Sequence, residues 1–309
     1  MNNNTHWFRF SLLFSLLLAA CSVQAAPANT PSKIVLTDKL GHTISLASPA
    51  QKIVSMAPSN TEILFALGAG SQVVGRDEFS DYPSQAKQLA SIGGSMGKYN
   101  NEAIVNLKPD LVLASELNTP EQVKALQDLG LTVYMLPNPT TLEGMYQNLD
   151  TVARLTGRET EAQKLIDSLK SRVKAVEDKI AAAKEKPLTY YELDATDPNA
   201  PYTSGPGTFI DLLIDKAGGQ NVGSSLKDAW AQISTEALVA KNPDVILLGD
   251  AAYGVTADSV KQRPGWNAIK AVKDGKIYTF DDNTVSRPGP RLVDGLETLA
   301  KLLHPELFK

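Results

Sequence analysis

The longest regular pattern of hydrophobic positions lies in the middle of the chain, in residues 158–186. Apolar side chains recur there at steps of three and four residues, which is the spacing of one face of an α-helix. Residues 160–184 contain neither Gly nor Pro, so the pattern predicts a helix of about 25 residues and roughly 38 Å. We interpret it as a rigid connection between two lobes, although a long helix within one domain fits the spacing equally well. The apolar positions are Ala162, Leu165, Ile166, Leu169, Val173, Val176 and Ile180.

Short apolar segments alternate with helical patterns before this helix, and a predicted edge hairpin precedes them at residues 33–46. Such alternation is typical of a parallel sheet that helices cover on both faces. It predicts an N-terminal α/β lobe over residues 33–157. The predicted strands are Lys52–Met56, Gln72–Gly75, Asp110–Ala114 and Thr132–Leu136, and the predicted helices are Pro120–Leu129, Leu142–Leu155 and one that Ser59 or Asn60 caps and that ends at Leu67.

The same alternation follows the long helix and predicts a C-terminal α/β lobe over residues 187–309. One segment is nearly repeated: the twelve-residue stretch from Glu102 matches the stretch from Glu236 without a gap. In both, Glu begins a short helix, Pro-Asp ends it and a buried strand follows. We therefore predict that the second lobe repeats the architecture of the first. Its strands are expected at 188–193, 244–248 and 276–280, and its helices at 208–217 and 290–303.

The first 25 residues have the pattern of an export signal, and residues 26–32 form a polar tether. The apolar run Leu12–Ala20 is too short for a permanent membrane anchor. Leu18–Cys21 resembles a lipobox, which implies a lipid on Cys21, while Val23–Ala25 also fits ordinary signal peptidase. Both alternatives predict export to the periplasm or to the outer face of the cytoplasmic membrane. Because Cys21 is the only cysteine, no disulfide is expected.

Composition and motifs argue against an enzyme. The chain has 309 residues, 43% of them hydrophobic, and a formal charge of −4, which offers no basic surface for nucleic acid. Its histidines are His6, His42 and His304, so no mid-chain histidine is available as a general base or metal ligand. Phosphate-loop and dinucleotide motifs are absent. We expect neither catalysis nor a bound cofactor, and we interpret the glycine-rich stretches 93–97 and 205–207 as turns or as loops near a ligand.

Several motifs spread over the mature chain resemble one family. They imply a substrate-binding protein of the ABC importers that carry cobalamin, haem and ferric siderophores. The resemblance implies two Rossmann-like lobes joined by a single long helix, a ligand cleft between them, a monomer, and a permease dimer with its ATPase as the partner. The motifs are Ser55–Glu62, Asp81–Pro83, residues 102–112, Pro201–Gly205, Arg263–Trp266 and Ser286–Arg291.

Within this family the chain resembles the vitamin B12 binders most. Phe79–Pro83 resembles a segment that holds an aromatic ring against the corrin, and Trp230–Ser234 resembles one that does so from the opposite lobe. The resemblance implies that Phe79 and Trp230 contact a flat ligand, for which rigid aromatic faces are suited. Two positions depart from the family: Phe79 replaces a Tyr, and Met96 stands where a further Trp is expected.

Haem and ferric siderophores remain alternative ligands. Tyr99 is the candidate iron ligand for haem, and basic residues are the candidates for an anionic chelate, namely Arg76, Arg287 and Arg291. Trp266 and Tyr278 are expected in the core.

The two glutamates of the repeated segment are expected to lie symmetrically about the cleft. By the resemblance, Glu102 and Glu236 dock into arginine pockets on the two permease subunits, a contact between charges that sets orientation and encounter rate.

Overall fold

The computed structural model describes residues 1–2 and 33–309. Most of the predicted export signal, the tether at 26–32 and the lipidation candidate Cys21 lie outside the described residues. Residues 33–309 form one compact unit. Two sheets and the helices that cover them make up this unit, with a separate hairpin at its start.

The N-terminal half contains the hairpin and a five-stranded sheet. The sheet is entirely parallel, with strand order β5-β4-β3-β6-β7. Strands β3, β6 and β7 are buried along their whole length, as the apolar runs predict. The elements are β1 Ile34–Thr37, β2 Thr43–Leu46, β3 Ile53–Ser55, α1 Pro58–Ala66, β4 Val73–Arg76, β5 Ala90–Ser91, α2 Asn101–Asn106, β6 Leu111–Ser115, α3 Pro120–Asp128, β7 Val133–Leu136 and α4 Leu142–Thr156.

The long helix α5 is Glu159–Ile180. Its buried residues are Ala162, Leu169, Val173 and Val176, which confirms the predicted stripe. The helix ends six residues before the predicted Lys186, because the next backbone bonds tighten to the i−3 spacing: the Ala183 N–H donates to the Ile180 carbonyl at 2.8 Å.

The C-terminal half contains the second sheet, with order β11-β9-β8-β12-β13 and β10 paired with the start of β8. Strands β8, β12 and β13 are parallel and repeat the arrangement of β3, β6 and β7. The predicted repetition of the parallel sheet fails at one edge, where β9 runs antiparallel to both of its neighbours, β8 and β11. The elements are β8 Leu188–Asp194, β9 Tyr202–Ser204, α6 Phe209–Lys216, β10 Gln220–Asn221, β11 Trp230–Gln232, α7 Thr235–Lys241, β12 Val245–Leu248, α8 Ala257–Lys261, α9 Lys270–Lys273, β13 Ile277–Thr279, α10 Asn283–Ser286 and α11 Leu292–Leu303.

The start of α1 also differs from the prediction. Its N-cap is Ala57 and Pro58 is the first helical residue, because proline has the required φ and its missing N–H is not needed there. Asn60, a predicted cap, instead lies inside the helix. Its amide donates to the carbonyls of Leu113 and Ala114, both at 3.0 Å, and so fixes α1 to strand β6.

One hydrophobic core extends through both halves of the structure. It includes Leu64 of α1, Leu149 of α4, Leu169 of α5, Leu213 of α6 and Leu296 of α11. The long helix packs against α4 on one side and α11 on the other. Because α5 contributes to both packing surfaces, its burial stabilises the two halves together.

Candidate functional site

Large apolar side chains are exposed at the carboxyl ends of the strands in both sheets. Met96 is 92% exposed in the loop after β5, Leu117 is 75% exposed after β6, and Tyr253 is 90% exposed after β12. Ligands of open α/β sheets bind at this edge, and exposed apolar groups gain stability when a ligand covers them. We name these residues the apolar rim: Phe79, Met96, Leu117, Tyr202, Trp230 and Tyr253.

Sequence reasoning found three of the rim residues and missed Leu117, Tyr202 and Tyr253. Two of the missed residues had a usable signal. Leu117 and Tyr253 each lie in the loop that directly follows one of the repeated buried strands, β6 and β12. An apolar residue in such a loop lies at the edge of the sheet where ligands bind.

Phe79 belongs to a loop that a buried carboxylate holds. Asp77 is 2% exposed, and its Oδ1 accepts the Phe79 N–H at 2.9 Å while its Oδ2 accepts the Ser80 hydroxyl. Burial raises the pKa of Asp77 above its ordinary value, although these two hydrogen bonds oppose the shift. The Phe79 ring itself remains 54% exposed, so its backbone is fixed while its face is free.

Met96 and Tyr99 share one irregular loop. Gly93, Gly94 and Gly97 have φ angles of 81°, 128° and 71°, and Met96 has φ 49°, a conformation that non-glycine residues seldom adopt. The Tyr99 hydroxyl donates to the Met56 carbonyl at 3.1 Å. Burial raises the pKa of Tyr99, which works against the tyrosinate that an iron ligand requires.

Trp230 lies on the antiparallel edge of the second sheet. It pairs with Ser204 of β9, whereas the carboxyl end of β8, at Asp194, pairs with Tyr202 at the other end of β9. Its side chain is 54% exposed. Trp266, by contrast, is 1% exposed and packs beneath the Arg263 guanidinium, 4.5 Å from the ring centroid. The prediction that Trp266 belongs to the core is confirmed, and Tyr278 is partly buried against the core.

Arg287 and Arg291 follow β13 in the second half of the chain but bind carboxylates of the first half. Arg287 Nη1 lies 2.7 Å from Asp81 Oδ1 and 3.2 Å from Glu62 Oε1. Arg291 donates to both oxygens of Glu62, at 2.8 and 2.6 Å. We name these residues the Glu62 network: Glu62, Asp81, Arg287 and Arg291. It joins the carboxyl edges of the two sheets.

The three arginines considered for an anionic ligand are therefore all engaged within the protein. Arg76 donates from Nε to the Ala86 carbonyl at 3.0 Å and from Nη1 to the Asp77 carbonyl at 2.8 Å. The side chains of Arg287 and Arg291 are only 15% and 12% exposed. Their role in ligand binding stays a prediction.

Glu102 and Glu236 occupy the same position in two short helices. Each is the second residue of its helix, α2 and α7, and each is exposed. The N-caps Asn100 and Ser234 hold the helix starts by accepting the N–H groups of residues 103 and 237. Within the described part of the chain, neither carboxylate has a cationic side chain within 4.0 Å. Both are open to an external cation.

A buried ionic cluster at the carboxyl end of the second sheet escaped the sequence reasoning. Arg263 donates to both oxygens of Glu192, at 2.5 and 2.8 Å, and Glu192 is fully buried. Asp250 lies beside this pair and is 3% exposed. Burial, reinforced by the Glu192 charge, raises the pKa of Asp250 to about 7. The cluster thus holds two carboxyl groups for one guanidinium.

A cavity of about 590 Å³ lies between α1, α5, α11 and the segment that contains Tyr82 and Pro83. Phe65, Leu165 and Leu169 form its apolar wall, and Arg172 and Arg291 border it. None of the rim residues lines it. In residues 1–2 and 33–309 the structure contains no group of three or more His, Cys, Asp or Glu side chains that could bind a metal ion, and no helix there combines the length and the hydrophobicity needed to cross a membrane.

Comparison with known proteins gives the family. A family model described as periplasmic binding protein matches residues 53–284. The chain belongs to this family. This periplasmic binding protein is 33% identical in sequence to an uncharacterised ABC transporter substrate-binding lipoprotein of Bacillus subtilis, and the alignment covers 96% of both chains.

Two solved structures of periplasmic binding proteins share its fold. One is the periplasmic vitamin B12 binding protein of Vibrio cholerae, with 26% identity, a TM-score of 0.71, and coverage of 84% of this chain and 99% of that one. The other is a periplasmic haem-binding protein of Roseiflexus in apo form, with 27% identity, a TM-score of 0.74, and coverage of 84% and 99%. These matches confirm the predicted fold class.

Proposed function

We propose that this periplasmic binding protein captures vitamin B12 or a related corrinoid between its lobes and delivers it to an ABC permease without chemical turnover. The observation that carries the proposal is the apolar rim. Six large apolar side chains stand exposed in the loops after the strands and on the antiparallel edge of the second sheet, and three of them are aromatic residues of the second lobe. A broad, flat ligand with an apolar face suits these surfaces better than a small polar solute.

Haem is the second candidate, and Met96 favours it. The Met96 side chain is 92% exposed on a loop of positive φ angles, and a thioether is an established axial ligand of haem iron. Tyr99 supports haem less, because its hydroxyl is bound to the Met56 carbonyl. A ferric siderophore is not favoured, since the candidate arginines already bind protein groups.

Delivery to the permease rests on the paired glutamates. Glu102 and Glu236 are exposed at equivalent helix starts in the two halves of the chain, and a two-subunit permease requires two such contacts. We expect the protein to act as a monomer that docks both carboxylates at once. Relatives named as ABC transporter substrate-binding proteins support this partner.

Isothermal titration of residues 26–309 with cyanocobalamin, haemin and ferrichrome in parallel tests the proposal. We expect one mole of cyanocobalamin to bind per mole of protein. The affinity should fall at least tenfold in Trp230→Ala, because the variant loses an aromatic face that contributes about 1.4 kcal/mol or more to the binding free energy. Leu129→Ala is the matched control: Leu129 is 53% exposed but lies at the end of α3, away from the rim.

The outcomes separate the candidates. If haemin binds and cyanocobalamin does not, haem replaces the corrinoid as the proposed ligand. A change in the absorption spectrum of bound haemin in Met96→Leu then identifies the thioether as the ligand of the iron. Binding of none of the three probes overturns the proposed ligand class. If Trp230→Ala and Leu129→Ala lower the ligand affinity equally, the proposed role of the rim is overturned.

A further inference from the structure

The segment Phe79–Tyr82 carries the exposed Phe79 ring, and the first lobe anchors the segment at its first two residues. Asp77 accepts the N–H of Phe79 at 2.9 Å and the hydroxyl of Ser80, and the hydroxyls of Ser80 and Thr61 lie 2.8 Å apart. The Asp77 carbonyl also accepts the Ser80 N–H at 3.2 Å. These bonds fix the first two residues of the segment, which has no regular secondary structure.

The remainder of the segment is held by the second half of the chain. Arg287 donates from Nη1 to Asp81 Oδ1 at 2.7 Å and from Nη2 to the Phe79 carbonyl at 3.4 Å. The guanidinium of Arg291 lies over the Tyr82 ring, 4.1 Å from its centroid, a favourable contact between a cation and an aromatic face. Three of the four residues therefore contact two arginines that lie more than 200 positions away in the chain.

Both arginines are fixed by Glu62, so the contact is rigid. The Glu62 side chain is 2% exposed and receives hydrogen bonds from both guanidinium groups. Hydrogen bonds between ions in such surroundings are short and directional. Arg287 is thus held in place from α1 while it holds the Phe79–Tyr82 segment. Its Nη1 and Nη2 groups are engaged by Glu62, Asp81 and the Phe79 carbonyl.

We infer that Arg287 is a positioning residue: it orders the Phe79–Tyr82 segment from the opposite lobe, and it influences ligand binding through the Phe79 ring instead of by contact with the ligand. The inference rests on the proposed function only where it treats Phe79 as part of the ligand site. It has a mechanical consequence. A motion that parts Arg287 from Asp81 removes the second support of the segment, so separation of the lobes loosens the aromatic wall at the same time.

Hydrogen exchange of the ligand-free protein, followed by mass spectrometry, tests the positioning role. We expect the amides of residues 79–82 to exchange at least tenfold faster in Arg287→Gln than in the wild type, with strand β7 unchanged as an internal reference. Arg172→Gln is the matched control, because Arg172 also joins two carboxylates, Asp294 and Glu297, and both of these partners lie outside the segment.

A second variant keeps the test valid if Arg287→Gln does not fold. Asp81→Ala leaves the bonds between Arg287 and Glu62 in place and removes the ion pair between Arg287 and the segment. Because Asp81 is 46% exposed, this variant should fold, and it should show the same local increase. Unchanged exchange at residues 79–82 in the folded variants overturns the inference, and so does an equal increase throughout the chain.

Ligand affinity then separates positioning from direct contact. With cyanocobalamin, or haemin if that is the probe that binds, Arg287→Gln should weaken binding about tenfold in the wild type and less than twofold in a Phe79→Ala background. Equal losses in both backgrounds indicate that Arg287 touches the ligand and overturn the inference. If neither probe binds, the proposed function fails, while the exchange experiment still decides whether Arg287 orders the segment.

Discussion

Arg291 and Glu62 lie 229 positions apart in the chain and form a buried bidentate ion pair, with Nε–Oε2 at 2.8 Å and Nη2–Oε1 at 2.6 Å. Glu62 is part of α1, which covers the first sheet, and Arg291 directly precedes α11, which follows the second. The pair therefore crosses from one half of the structure to the other. Arg287 also binds Glu62, so two guanidinium groups share one carboxylate where the two halves meet.

Removal of the Glu62 charge should destabilise the protein strongly. Glu62→Gln leaves two nearly buried guanidinium groups with one carboxylate fewer, and breaking a buried pair in this way costs about 3–5 kcal/mol. Urea denaturation followed by circular dichroism measures the free energy of unfolding. Glu161→Gln is the control, because its exposed pair with Arg158 contributes at most about 1 kcal/mol. A loss below about 1 kcal/mol in Glu62→Gln contradicts the importance of the network.

The main elements could be predicted because their signals are local. Apolar runs of four to five residues marked β6, β7 and β12, and the stripe that contains Leu169 and Val176 marked the long helix. The ends of the elements were predicted less accurately. Helix α5 ends at Ile180 through a change of hydrogen-bond spacing that no single residue type indicates. The antiparallel pairing of β9 and β11 also has no local signal, because short edge strands depend on their neighbours.

The candidate site could be predicted only in part, and the reason is again the range of the interactions. Arg287 was recognised as a functional candidate from its motif, but its partners Glu62 and Asp81 are more than 200 positions away. An arginine with no visible partner looks available for a ligand. The cluster of Glu192, Arg263 and Asp250 escaped notice for the same reason, since a charged residue in a sequence is expected at the surface.

Asp250 should make stability depend on pH in the direction opposite to most carboxylates. Because its folded-state pKa is raised to about 7 from 3.8, the folded state holds this proton more tightly than the unfolded state does. Stability from this group therefore falls as pH rises from about 4 to about 7, by at most roughly 1.4 kcal/mol per pH unit, and is level above that. The charged groups that set the shift are Glu192 and Arg263.

The difference between wild type and Asp250→Asn isolates this effect. Other carboxylates, such as Asp81, contribute in the opposite sense: burial raises the Asp81 pKa, but Arg287 more than compensates and lowers it. Their contributions cancel when the free energies of unfolding of the two proteins are subtracted at each pH. We expect this difference to decline between pH 4 and 7. A difference that does not vary with pH means that Asp250 is charged throughout.

The lipid anchor predicted at Cys21 is tested by fractionation and mass spectrometry of the protein expressed with its own N-terminus. If Leu18–Cys21 acts as a lipobox, the wild type should remain in the membrane fraction with the mass of two or three acyl chains attached. Cys21→Ser should then be soluble after osmotic release. A wild-type protein that is already soluble and begins at Ala26 instead shows cleavage after Val23–Ala25.

Charge reversal at the two glutamates should abolish delivery and leave ligand binding intact. Glu102 and Glu236 are exposed at the starts of α2 and α7, so Lys at either position alters no buried contact but should repel the arginine that we propose as its partner on the permease. We expect each single variant to lower stimulation of the permease ATPase in proteoliposomes at least tenfold, with an unchanged ligand dissociation constant. Glu121→Lys is the matched control, since Glu121 is also exposed in the first turn of a helix, α3. Equal stimulation by all three variants contradicts the docking role. Loss in only one of Glu102→Lys and Glu236→Lys contradicts the symmetry on which the two-subunit contact depends.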